Sequence, residues 1–186
     1  MQDGQESCGR NGPVALPAES RYILSMQIRR TTPADFNAVM NIYADARNFM
    51  KEHGNPDQWG NFYPTEDLVK NDISGGISYV CVDGNAIAAV FVFKTGADET
   101  YAEIYNGDWL NDGLYGVVHR IASAHDVKGA AAFCLNWAFE QCGNVRIDTH
   151  ADNIPMQHLL AKLDFTRCGI IHTYDGTDRY AFQKTK

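Results

Sequence analysis

The sequence has no apolar run near the roughly 20 residues that a membrane-spanning helix needs, so no membrane partner is expected. It is also short of positive charge. Sixteen Lys and Arg stand against 23 Asp and Glu, a formal net charge of -7. Nucleic acid is therefore an unexpected partner, because binding phosphates along a backbone needs clustered cations. A local basic spot for one small anion, and a neutral or cationic substrate, remain compatible with this balance. Cysteine is sparse and odd in number: Cys8, Cys81, Cys134, Cys142 and Cys168. No pair has CxxC spacing, which argues against a disulfide scaffold or a zinc site and for the reduced thiols of a cytoplasmic protein. The first residues, MQDGQESCGRNGPVALPAES, lack the basic start and apolar stretch of a signal peptide. Residues 1–25 read as a flexible polar extension, and Met26 as the start of a single domain over 26–186. That length suffices for one real core but not for two. No internal repeat is visible.

What is present is a clear alternation of periods. MQIRR alternates like a strand, and Thr32-Pro33 then opens a helix whose Phe36, Val39, Met40, Tyr43 and Ala46 recur at steps of three and four until Gly54. TEDLVKNDISGG reads as a second helix capped by Thr65. ISYVCVD and AIAAVFVFK alternate around the turn Asp83-Gly84-Asn85, a hairpin signal. TYAEIY is either a further edge or the start of a loop. YGVVHRIASA is a strand, KGAAAFCLNWAFEQCG a helix, NVRIDTHAD a strand, and NIPMQHLLAKLDF a helix opened by Asn153. TRCGIIHTY and RYAFQKT close the chain as a hairpin around Asp175-Gly176. The order β-α-α-β-β-β-α-β-α-β-β puts three strands in a row and so excludes a pure parallel alternation. The expected fold is a single α/β domain with a mixed sheet and helices on its faces.

The chemistry points to one strand-turn-helix, VVHRIASAHDVKGAAAFCLNWAFEQ. Its helix starts with Lys128, Gly129, Ala130 and Ala131. Small and cationic residues there admit another molecule to the free N–H groups and the positive end of the helix dipole, a setting for a phosphate. Small residues equally let a helix pack tightly on a sheet, and the segment alone leaves both readings open.

This segment resembles the central motif of the GNAT superfamily of acyl-CoA-dependent N-acyltransferases, Q/R-x-x-G-x-G/A after a strand. Gly129 and Ala131 match it, while Asp126 stands where Gln or Arg is usual. NVRIDTHADNIPMQHLLAKLDFTRCG resembles the family's next motif through Asn153 and Leu163-Asp164-Phe165, with Asp164 in place of Gly. The order of elements from Met26 onward is also the family's.

The resemblance implies a central, mostly antiparallel twisted sheet, splayed between its two central strands by a bulge. It implies acetyl-CoA held by Ile121, Ala122 and Ser123 along the strand, by Val127, Lys128, Gly129, Ala130 and Ala131 around the pyrophosphate, and by Asn153 near the acyl end. An amine then attacks the thioester directly, in a ternary complex with no covalent enzyme intermediate and no metal. For the proton acceptor it points to His119; His150, at the end of the next strand, and Glu103, if TYAEIY lies along the sheet, are further candidates by their position. The acid's usual tyrosine position is Leu160. The acceptor, a primary amine of a small molecule or peptide, would meet the loop carrying Trp59 and Tyr63, unless those aromatics merely cap the core. A homodimer is an assembly the resemblance leaves open. The competing expectation is a non-catalytic acyl-CoA-binding module of the same fold.

Overall fold

In the computed structural model of the chain the described residues are 25–125 and 127–186. The expected N-terminal extension, apart from Ser25, and Asp126 lie outside them.

The chain opens with strand β1, Met26–Arg30. Thr32 and Asp35 form a capping box around a 3-10 turn, and Arg29 grips the same Asp35 carboxylate through both oxygens at 2.7 and 2.8 Å. Helix α1, Phe36–Glu52, follows directly. Helix α2, Glu66–Ser74, is capped where expected, by Thr65 Oγ1 accepting from Leu68 N–H. Strands β2, Ser78–Asp83, and β3, Ala86–Thr95, make the hairpin. Strand β4, Gly116–Ser123, leads into helix α3, Ala130–Cys142. Strand β5, Asn144–Thr149, leads into helix α4, Ile154–Lys162. Strands β6, Thr166–His172, and β7, Asp178–Thr185, form the closing hairpin. TYAEIY joins the sheet only through one bridge, Tyr105 to Ile170, after a 3-10 turn at Glu99–Tyr101.

The seven strands run in the order β1-β2-β3-β4-β5-β7-β6. Every neighbouring pair is antiparallel except β4 and β5. One face of the sheet packs on α3 and α4 through Phe91, Val118, Leu135, Ile147 and Leu160. The other packs on α1 and α2 through Val39, Tyr43, Val69, Val80 and Val90. Covered on both sides, β3 has no polar face, which explains its unbroken AIAAVFVF.

The parallel pair is the feature that makes a site. β4 and β5 pair only at Gly116 with Val145 and Val117 with Arg146. Gly116 is needed at that junction, since a Cβ there would lie 2.5 Å from the Phe93 ring and 2.8 Å from Cys142 Sγ. Further along, Val92 pairs with His119 and Val90 with Ala122, so Arg120 and Ile121 together oppose Phe91. Arg120 takes a positive φ of 51° in this bulge. The extra residue bends β4 away from β5, and the sheet opens as expected.

Candidate active site

A cavity of about 940 Å³ occupies the opening. Ile121, Ala122 and Ser123 form its β4 lip, and Ile147, Asp148 and Thr149 its β5 lip. Val127 and Ala131 line it near the start of α3, and Asn153 does so at the start of α4. Asn153 Oδ1 caps α4 by accepting from Met156 N–H, and its amide donates to Gln58 Oε1 at 2.9 Å, tying the helix to the loop after α1. That loop brings Trp59 and Tyr63 to the cavity.

Gly129 is the N-cap of α3, with φ of 84°. A Cβ built there meets no atom within 4 Å, and Lys128 and Gly129 are both exposed, so the backbone at the helix start is not crowded at that residue. The first turn of any helix carries N–H groups without intrahelical partners. An open strand edge leading to an open helix mouth fits a long ligand with a phosphate group at one end.

The polar centre of the cavity lies on β4. His119 Nε2 is 2.8 Å from Asp98 Oδ2, and Lys94 Nζ is 2.9 Å from the same oxygen. Thr100 donates to Asp98 Oδ1 through its N–H at 3.0 Å and its hydroxyl at 2.6 Å. Burial alone would raise this carboxyl's pKa, but the hydrogen bonds from His119, Thr100 and Lys94 win and hold it far below the usual range. On the other side of the ring, His119 Nδ1 lies 3.9 Å from Asp148 Oδ1, which accepts from the buried Tyr101 hydroxyl at 2.7 Å. A histidine with one nitrogen anchored and the other facing a cavity can accept a proton from a bound molecule.

A GNAT-family acetyltransferase from Streptococcus agalactiae has this architecture with a TM-score of 0.79 and 33% identity, covering 87% of this chain and 95% of its own. The chain belongs to the GNAT acetyltransferase family. A Staphylococcus aureus protein of the same fold matches at 25% identity and TM-score 0.63, over 85% of this chain and 97% of its own. The NatC complex bound to Gag peptide and CoA shares the fold at 12% identity and TM-score 0.58, over 87% of this chain and 99% of the matched one. No family model matches the sequence, and no curated protein does.

In this GNAT protein the expected residues separate. His119, Ile121, Ala122, Ser123, Val127, Ala131, Asn153, Trp59 and Tyr63 all line the cavity. Lys128 and Gly129 are exposed at the start of α3, and the Ala130 side chain is in the core, so only its backbone is placed to meet a ligand. His150 turns toward Asp152, with Nδ1 at 3.4 Å from the carboxylate. Glu103 accepts from the Tyr105 hydroxyl at 2.6 Å on the exposed segment before β4. Neither is among the cavity's lining residues. Leu160 is fully buried in the α3–α4 core.

Several site residues carry no signal in the sequence. Asp98 and Lys94 sit where β3 ends, and Asp148 sits near the end of β5. Nothing in spacing or periodicity links them to His119. Arg120 likewise has no sequence signal for its role. It binds Asp72 through two nitrogens at 3.1 and 2.9 Å and donates to the Tyr63 hydroxyl at 3.2 Å, so one side chain ties the bulge to α2 and to the aromatic loop.

Proposed function

We propose that this protein is an acetyl-CoA-dependent N-acetyltransferase acting on a primary amine of a small molecule or peptide, by direct attack within a ternary complex. One observation carries the reading: the unpaired β4 edge and the open start of α3 are continuous with a cavity that holds an anchored histidine.

Acetyl-CoA, when bound, supplies an acyl group already activated as a thioester. Backbone groups of Ile121, Ala122 and Ser123 would hold its extended arm, as a further strand on the open edge. N–H groups from Lys128 to Ala131, with Val127 alongside, would hold the diphosphate. Asn153 would orient the acyl end. Trp59 and Tyr63, which line the cavity, would wall the acceptor's side. His119 takes the proton that an ammonium must lose before its nitrogen can act as a nucleophile. His150 and Glu103, outside the cavity, are left without a step.

The reading is tested by thiol release over a panel of amines, run beside a thermal shift with acetyl-CoA. A ligand that binds only the folded chain must raise the midpoint. His119→Ala is expected to lower kcat by about 100-fold or more, with the acetyl-CoA shift retained. Equal loss of both, or of neither, rejects the role of His119.

Leu160 favours a second reading, an acyl-CoA-binding module without turnover. The helix position that would carry the proton-donating hydroxyl is apolar and sealed in the core. A thermal shift with acetyl-CoA and no thiol release from any amine is the result expected of such a module.

A further inference from the structure

The cluster around His119 has a polarity that the N-acetyltransferase reading does not itself require. Asp98 is 5% exposed and receives hydrogen bonds at both oxygens. Its carboxyl stays ionised at neutral pH for the reasons given above. An ionised carboxylate only accepts hydrogen bonds, so the ring nitrogen facing it must carry a proton. That nitrogen is Nε2, at 2.8 Å. In the neutral ring the lone pair then belongs to Nδ1.

Nδ1 and Asp148 Oδ1 are 3.9 Å apart, beyond hydrogen-bond reach of one another. Both residues line the cavity. Asp148 is kept in place by the Tyr101 hydroxyl at 2.7 Å and by Arg179 Nε at 4.0 Å. The Tyr101 ring also lies against the imidazole, with centroids 5.7 Å apart. An ammonium nitrogen, with three donors, can reach the Nδ1 lone pair and the Asp148 carboxylate together.

We propose that Asp98 is a positioning residue that holds His119 in its Nε2–H tautomer, so that Nδ1 receives the acceptor's proton, and that Asp148 holds the acceptor's ammonium beside it. This rests on the N-acetyltransferase reading for the identity of the acceptor, but its geometric core does not. In the step, one proton leaves the ammonium and one arrives on Nδ1. The amine keeps the electron pair of the broken N–H bond. The resulting imidazolium lies between the Asp98 and Asp148 carboxylates. Lys94 offsets the first and Arg179 the second, while Arg120 on the adjacent position is already engaged by Asp72. The proton returns to solvent once the product, no longer cationic, has left.

The test begins on the wild-type full chain with no ligand added. Nitrogen-15 long-range correlation NMR, read on the neutral ring, should place the His119 proton on Nε2. In Asp98→Asn the tautomers should mix. For acetyl transfer, Asp98→Asn should lower kcat by about 100-fold and leave the thermal shift with acetyl-CoA unchanged. Asp148→Asn should act mainly on the amine's KM, raising it at least about tenfold, the scale of one charge-assisted hydrogen bond. A wild-type ring protonated at Nδ1 overturns the proposal even if amines are acetylated, and needs no variant to fold. An unchanged tautomer in folded Asp98→Asn also overturns it, as does an Asp148→Asn enzyme with unaltered KM. No thiol release from any amine, with the Nε2–H ring intact, instead overturns the N-acetyltransferase reading and with it the proton's route.

Discussion

Arg120 does unusual work for a residue in a strand. Its backbone supplies the positive φ of the bulge, and its guanidinium is the partner of a buried acid. Asp72 is only 5% exposed, and burial raises its carboxyl pKa despite the opposing pull of Arg120. Removing the cation while keeping the acid leaves a buried charge without its partner. Arg120→Ala is expected to destabilise the fold by about 3 kcal/mol at pH 7, as read by urea unfolding. The sign of its pH dependence follows from the direction of the shift. A carboxyl whose folded pKa lies above its unfolded value binds protons more tightly in the folded state, so its contribution to stability falls as pH rises through the folded value. Without Arg120 that value moves higher still. The penalty should therefore be largest near neutrality and shrink as pH falls through the raised folded value, where Asp72 takes up its proton. At this scale the sequence was only partly legible. His119 could be found because it lies two places before Ile121 on a recognisable strand. Asp98, Asp148 and Asp72 could not, because each meets His119 or Arg120 across the fold, at sequence distances no local period encodes.

At the scale of elements, hydrophobic period and caps were informative. Thr65 and Asn153 cap the helices they were expected to start, and the two hairpins fall around their Gly-containing turns. By sequence, TYAEIY fits an edge strand and a loop equally well. The structure shows why: a single bridge holds it to β6, and Trp109 Nε1 donating to the Tyr101 carbonyl at 3.2 Å helps hold the rest. Such a segment has no pleat to impose alternation. The start of α3 posed the sharper choice between tight packing and room for a ligand. The answer divides by residue. Ala130 is 0% exposed and packs in the core, whereas Gly129 faces open space. Gly129→Ala separates the two demands. The methyl group meets no neighbour, so its structural cost is the left-handed backbone alone, about 1 kcal/mol. If the helix mouth receives a diphosphate, acetyl-CoA should bind at least about tenfold more weakly, a loss of roughly 1.4 kcal/mol, in a titration at fixed salt. Unchanged affinity would place the ligand elsewhere.

Across the whole molecule, the sheet is two antiparallel sets of strands, β1–β4 and β5–β7, joined along the pair β4–β5. From the sequence this division was expected only through family resemblance. Periodicity reports which face of a strand is buried, not which edge lacks a neighbour, and the bulge at Arg120 leaves no mark that a period of two would reveal. Saturating acetyl-CoA should slow amide exchange along the facing lips, at residues 121–123 and 147–149, by more than at β1 or β6, which lie at the sheet's outer edges. Uniform protection would mean that binding merely stabilises the fold as a unit.

Because only two residue pairs join those halves within the sheet, the sheet resembles two leaves bound by a short spine. Whatever lies in the gutter supplies the missing stitches. If acetyl-CoA lies there, as proposed, the protein's cargo becomes part of its binding, and each release would loosen the volume that the next arrival must close.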